Sequence, residues 1–98
     1  MTSVTHVVLV SWQSGQAAVA EERVRPALRD LANTIPGISH LVEGHSTSPE
    51  GLENGHDYGF VITFAHAEAR DAYLPDPRHR LVADEIGRYA QRVVVFDI

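Results

Sequence analysis

The chain of 98 residues contains no cysteine and no lysine, and it has no apolar run long enough to cross a bilayer. Without cysteine there is no disulfide, no thiol nucleophile and no thiolate metal site. Without lysine there is no Schiff base, which removes one covalent route through a carbonyl. The formal charge is -5, and all eight cations are arginines scattered along the chain. That balance speaks against a nucleic-acid partner, which calls for a basic stripe facing the phosphates. The opening residues, Met1 to His6, lack a basic segment followed by an apolar one. A soluble cytoplasmic protein with no membrane partner is therefore expected. His40, His45, His56 and His66 do not fall at a ligand spacing such as H-E-x-x-H, and neither a glycine-rich phosphate loop nor a G-x-S-x-G elbow is present. The expectation is one domain with neither metal nor cofactor.

What the chain does have is a regular alternation of short elements. Val4 to Trp12 reads as a strand, with Val4, His6, Val8, Val10 and Trp12 on one face. Gln16 to about Asn33 reads as a helix whose apolar stripe is Ala17, Ala20, Val24, Ala27, Leu28 and Leu31. Ser14 is placed to cap it, and Pro26 predicts a kink or restart near Arg25. Ile35-Pro36-Gly37 turns the chain into a weaker, more polar strand over Ile38 to Ser46, suited to a sheet edge. A loop covers Thr47 to His56. Tyr58 to Ala65 alternates most clearly, with Tyr58, Phe60, Ile62 and Phe64 facing one way, the side predicted to meet the helices. A short helix from Ala67 to Leu74 precedes a second from Pro77 to Tyr89, striped by Leu81, Val82, Ile86 and Tyr89. The closing strand from Gln91 carries Val93 to Phe96, an apolar run typical of strands covered on both faces.

Strand, helix, strand, strand, helix, strand is the split order of an α+β, ferredoxin-like fold: a four-stranded antiparallel sheet with helices on one face. The opposite face holds Val7, Leu9, Val61 and Thr63. Each Val or Leu buried there is worth roughly 1.5–3 kcal/mol, so the face is expected to be covered by a second copy, giving a homodimer with sheets packed together.

The stretch with the most chemical content is Tyr73-Leu74-Pro75-Asp76-Pro77-Arg78-His79. On one unbroken helix Tyr73 and His79 would point about 240° apart. The prolines end one helix and open the next, so the two rings can converge. An imidazole, which titrates near neutrality, beside a phenol that gives or takes a hydrogen bond makes an acid–base pair. The alternative is a capping loop with a packed tyrosine and a surface histidine.

These residues together resemble the stress-responsive α/β-barrel (Dabb) domain family. His6-Val7-Val8-Leu9-Val10 is similar to its opening strand, Ile35-Pro36-Gly37 to its corner, and Gly44, Asp57-Tyr58 and Thr63-Phe64 to its central segment. Tyr73-Leu74-x-x-Pro77-x-His79 resembles its signature and Val95-Phe96-Asp97 its last strand. The resemblance implies a dimeric α+β barrel with a cavity between helices and sheet in each subunit. It also implies chemistry like that of a plant polyketide cyclase of the family, which closes a linear polyketide to olivetolic acid by aldol condensation. By that resemblance His79 is the catalytic base, Tyr73 the catalytic tyrosine holding the reacting oxygen, and His6 a cavity residue from the first strand. Val8, Tyr58 and Phe60 are expected beside them as substrate-binding residues. Leu28 stands where the cyclase's cavity has a tyrosine, and Asp76 where it has a histidine; the first change predicts a reshaped pocket. Asp97 is placed either to orient a histidine or to end the chain in solvent. The implied function is a small cofactor-free cyclase or lyase acting on a polyketide or other carbonyl-rich apolar substrate. The alternative is a non-catalytic dimeric module that binds a small apolar ligand.

Overall fold

The computed structural model describes residues 2–98. Seven elements follow in order: β1 (Val4–Trp12), α1 (Ala17–Thr34), β2 (Ile38–His45), β3 (Tyr58–Phe64), α2 (Ala67–Tyr73), α3 (Pro77–Tyr89) and β4 (Ala90–Asp97). The strands form one antiparallel sheet in the order β2-β3-β1-β4, with the helices on one side: the ferredoxin-like α+β architecture. β1, the richest in valine, is central, and the more polar β2 lies at an edge.

Register decides which side chains meet. Val8 pairs with Phe60 on β3 and with Val95 on β4, and His6 with Ile62 and Asp97. Cross-strand partners share a face, so His6, Val8, Phe60, Ile62, Val95 and Asp97 lie on the helix side. The large side chains of β3 alternate with strict period two: Tyr58, Phe60, Ile62 and Phe64 are buried. They pack with Val24, Leu28 and Leu31 of α1 and with Val82 and Ile86 of α3.

Some local expectations are corrected. α1 continues through Pro26 without a restart. Pro26 is exposed, so the carbonyl its missing N–H leaves unpaired faces water. Gln16, not Ser14, precedes the helix, and no side chain caps it. Ala17 and Leu81 are exposed rather than part of the buried stripes. β4 is an edge strand with Val93, Val94, Val95 and Phe96 all exposed in the single chain, not covered on both faces. Its inner residues, Val93 and Val95, flank a gap beneath α3, and its outer residues, Val94 and Phe96, lie on the open face of the sheet.

At the corner before β2, Gly37 has φ +89°, and a Cβ there would come within 2.5 Å of the Ala69 Cβ on α2. Only glycine permits both the left-handed backbone and that close approach. The contact sets α2 against the sheet. Among the described residues, no helix is long and apolar enough to cross a membrane.

Candidate active site

The turn between α2 and α3 is built by side chains that sequence alone suggests. Asp76 caps α3, its Oδ1 accepting from the Arg78 backbone N–H at 2.8 Å, and Pro77 occupies the first turn, which needs no N–H donor. Arg78 donates two hydrogen bonds to the same carboxylate, from Nε at 3.0 Å and Nη2 at 2.8 Å, and its Nη1 donates to the Thr34 carbonyl of α1 at 2.8 Å. These hydrogen bonds hold the Asp76 carboxyl well below its ordinary range, lowered to about 2. The turn is thus tied to the end of α1.

From this turn His79 looks back over Tyr73. The ring centroids are 4.2 Å apart with the planes inclined at 41°. His79 Nδ1 lies 2.9 Å from the Leu74 carbonyl oxygen. A carbonyl only accepts, so Nδ1 carries the hydrogen and Nε2 of the neutral ring keeps its lone pair. Tyr73 is 2% exposed and packs against Phe64 at 5.0 Å and His6 at 6.1 Å between centroids. Burial pushes its phenol pKa well up, so it stays protonated as a donor. Among the described residues its hydroxyl has no hydrogen-bond partner, and it is not sealed from the cavity described next.

His6 reaches the same place from the sheet. It is 4% exposed, and its Nδ1 donates to Asp97 Oδ1 at 2.7 Å. The other Asp97 oxygen accepts from Arg70 Nη1 at 2.8 Å, while Arg70 Nε donates to Asp71 at 2.8 Å. Partial burial pushes the Asp97 carboxyl up, but the hydrogen bonds from Arg70 and His6 outweigh it and the net shift is downward.

His6, Tyr73 and His79 line one cavity of about 240 Å³ between sheet and α3, with apolar walls that include Val8, Phe60, Val82, Ile86, Val93 and Val95. Its mouth opens between α3 and the edge strand β4, where Leu74, Val93 and Val95 are exposed. Two expected pocket residues lie elsewhere. Leu28 is fully buried in the core beneath α1, because α1 covers the sheet rather than the gap. Tyr58 is one side-chain repeat beyond Phe60, near the other end of the sheet; it stacks on Trp12 at 5.7 Å, and its hydroxyl donates to Glu43 at 2.8 Å. Burial, with that carboxylate beside it, pushes the Tyr58 phenol pKa far up.

Arg70 was not legible as a site residue, although it sits one helical turn before Tyr73. The α3 wall was available in the pattern: Val82, Ala83, Ile86 and Gly87 follow His79 by three, four, seven and eight residues, one helical face. A wider depression of about 670 Å³ lies on the other side of the sheet, under the β2–β3 connection, where Leu9, Val42, Val61 and Val94 meet Leu52. It is part of the open sheet face and holds none of the three site residues. Among the described residues, no group of three or more His, Asp or Glu could hold a metal ion.

The profile described as Stress responsive A/B Barrel Domain matches residues 4–98. A dimeric ferredoxin-like protein of unknown function from Jannaschia sp. CCS1 superposes with a TM-score of 0.90 at 23% identity, over 99% of this chain and 98% of that one. The Arabidopsis thaliana protein At3g17210 superposes with a TM-score of 0.87 at 28% identity, over 97% and 92% of the two chains. A hydroxynitrile lyase from Passiflora edulis gives a TM-score of 0.87 at 18% identity, over 98% and 91%. No curated protein matches the chain.

Proposed function

The chain belongs to the stress-responsive A/B barrel domain family, and from that premise we propose that it is a cofactor-free acid–base catalyst of aldol-type chemistry on a small, carbonyl-rich apolar substrate. The observation that carries this reading is the pairing of His79, with a free Nε2, and Tyr73, with an unpartnered hydroxyl, on one apolar cavity. A carbonyl oxygen placed against Tyr73 accepts its hydrogen bond, and the adjacent carbon comes before His79. His79 takes the α-proton, and Tyr73 holds the negative charge that develops on the enolate oxygen. The enolate carbon then attacks a second carbonyl, closing a ring if both belong to one chain, and the alkoxide that forms takes up the proton that left the α-carbon. The reverse direction is a lyase, and the Passiflora edulis hydroxynitrile lyase is a lyase on this fold. The volume of about 240 Å³ falls just below the usual range for ligand pockets of about 300–1,000 Å³, which favours a compact substrate or one whose tail leaves through the mouth.

The test is cyclisation of a linear methyl diketone that closes a six-membered ring, followed by NMR. Wild type accelerates closure over buffer, and His79→Ala returns it to the buffer rate. Equal rates in the two proteins overturn the assignment of the base. Saturable binding of the diketone with no turnover in wild type establishes the non-catalytic ligand-binding alternative.

The same reading includes a homodimer through the open sheet face. Leu9, Val42, Val94 and Phe96 are between 40% and 61% exposed there, a contiguous apolar surface that a single chain leaves wet. The Jannaschia sp. CCS1 protein is described as dimeric. Light scattering at micromolar concentration is expected to give twice the chain mass of 10.8 kDa; a stable monomer rules the dimer out.

A further inference from the structure

The aldol-type mechanism above uses one histidine, yet the cavity contains two, and both are held in the same tautomer. His79 Nδ1 donates to a backbone carbonyl and His6 Nδ1 to a carboxylate, neither of which can donate in return. Each ring therefore offers Nε2 as the atom that gains or loses a proton. Tyr73, the one donor, neighbours both, with ring centroids 6.1 Å from His6 and 4.2 Å from His79. The site thus reads acceptor, donor, acceptor.

His6 is the more elaborately held of the two. Asp97 is its direct cross-strand neighbour, and Arg70 reaches from α2 to occupy the carboxylate oxygen that His6 leaves free. A carboxylate on Nδ1 serves the ring in both of its protonation states, since Nδ1–H is present in each; only Nε2 changes. A histidine that merely packed against Phe64 would have no use for such a chain of partners.

We propose that His6 is a second acid–base residue, positioned by Arg70 through Asp97, and that the site is built for a β-hydroxy ketone, the aldol adduct itself. In this arrangement the adduct's hydroxyl donates to His6 Nε2, its carbonyl oxygen accepts from Tyr73, and its α-carbon faces His79. In the cleavage direction His6 Nε2 takes the hydroxyl proton. The O–H electron pair becomes the new carbonyl bond, and the carbon–carbon bond breaks with its pair passing to the α-carbon as an enolate, its oxygen held by Tyr73. The α-carbon takes a proton from His79 Nε2, so His79 enters this direction protonated and His6 leaves it protonated. One proton moves from oxygen to carbon, no oxidant or reductant is involved, and bond formation is the same path reversed. The proton transfer rests on the aldol-type reading; recognition of the hydroxyl does not.

Two ligands of nearly the same shape separate the two. Diacetone alcohol is a β-hydroxy ketone, and methyl isobutyl ketone is the same skeleton with hydrogen in place of the hydroxyl. Wild type is expected to bind the first about tenfold more tightly, the order of one well-placed hydrogen bond. Nitrogen NMR of the free protein is expected to find the His6 hydrogen on Nδ1. Asp97→Asn, whose amide can donate to Nδ1, moves that hydrogen to Nε2 and removes the acceptor for the hydroxyl proton, so cleavage of diacetone alcohol is expected to fall. His6→Phe, which keeps the ring volume, brings the binding ratio to about one. Arg70→Met lowers the ratio and Arg70→Lys restores it; this pair carries the test if Asp97→Asn does not fold. A hydroxyl preference that survives His6→Phe, or a wild-type His6 with hydrogen on Nε2, overturns the proposal. Cleavage to acetone without the hydroxyl preference sinks this inference alone, and the preference without cleavage sinks the catalytic reading and with it the proton transfer, leaving recognition of the hydroxyl by His6.

Discussion

Tyr73 and His79 stack with ring centroids 4.2 Å apart although six positions separate them in the chain. A continuous helix would turn them roughly 240° apart. The convergence is made by ending α2 at Tyr73 and starting α3 at Pro77, and it is held by the His79 hydrogen bond to the carbonyl of Leu74 within the break. That hydrogen bond does two things: it satisfies the carbonyl of Leu74 at the end of α2, and it fixes which nitrogen of His79 is basic.

Tyr73→Phe tests the hydroxyl separately from the ring. Among the described residues the hydroxyl has no partner, so its removal leaves packing against Phe64 and His79 intact, and thermal stability is expected to stay level or rise slightly. Cyclisation of the diketone is expected to fall by about 10²–10³ in kcat, the usual effect of losing one donor to a developing oxyanion. A large loss of stability with kcat unchanged would show the tyrosine to be core and nothing more.

Much of this geometry is readable in the sequence. The alternation of β3, the proline break and the apolar stripe of α1 follow from period and from backbone chemistry, and each of these elements forms where the pattern puts it. What could not be read depends on register and on neighbours. That Asp97 lies beside His6 follows from which β4 residue pairs with which β1 residue, and nothing local to Asp97 announces it. Pro26 continues a helix because its outward face lets water satisfy the freed carbonyl, a matter of burial. Leu28 was placed in the cavity by the family resemblance, and Tyr58 because it shares a face of β3 with Phe60. They miss it because the gap lies under α3, away from α1 and from the Trp12 end of β3.

Leu28→Ala is therefore a core substitution. Leu28 is 0% exposed and belongs to the cluster that joins α1 to the sheet. A loss of about 2–5 kcal/mol is expected in urea unfolding, with ligand affinity at the cavity unchanged in the protein that remains folded. Altered selectivity among ketones at little stability cost would return Leu28 to the pocket wall.

Gly37→Ala tests the corner that sets α2. At φ +89° an alanine is strained, and its Cβ would meet the Ala69 Cβ. Together these are expected to cost about 1–3 kcal/mol in urea unfolding. Ala69→Gly removes the facing methyl but not the backbone strain. The double variant should thus be more stable than the two single losses added together, and simple additivity would show that the corner has room the geometry denies.

The cap of α3 supplies a pH dependence with a definite sign. The Asp76 carboxyl, lowered to about 2 by hydrogen bonds from Arg78, has an ordinary value near ~3.9 in the unfolded chain. The folded state therefore binds fewer protons between these values, so the contribution of Asp76 is fully present above about pH 4 and disappears as pH falls through about 2. Asp76→Ala is expected to be less stable than wild type by a constant margin at neutral and mildly acidic pH, with the margin closing below about pH 4. Urea midpoints at a series of pH values measure it. Because the pair is exposed, added salt should narrow the margin at every pH. A margin that persists unchanged to pH 2 would mean that Asp76 acts through its shape in the turn rather than through its charge. The carboxylate would then hold His79 over Tyr73 no better than an asparagine at the same position.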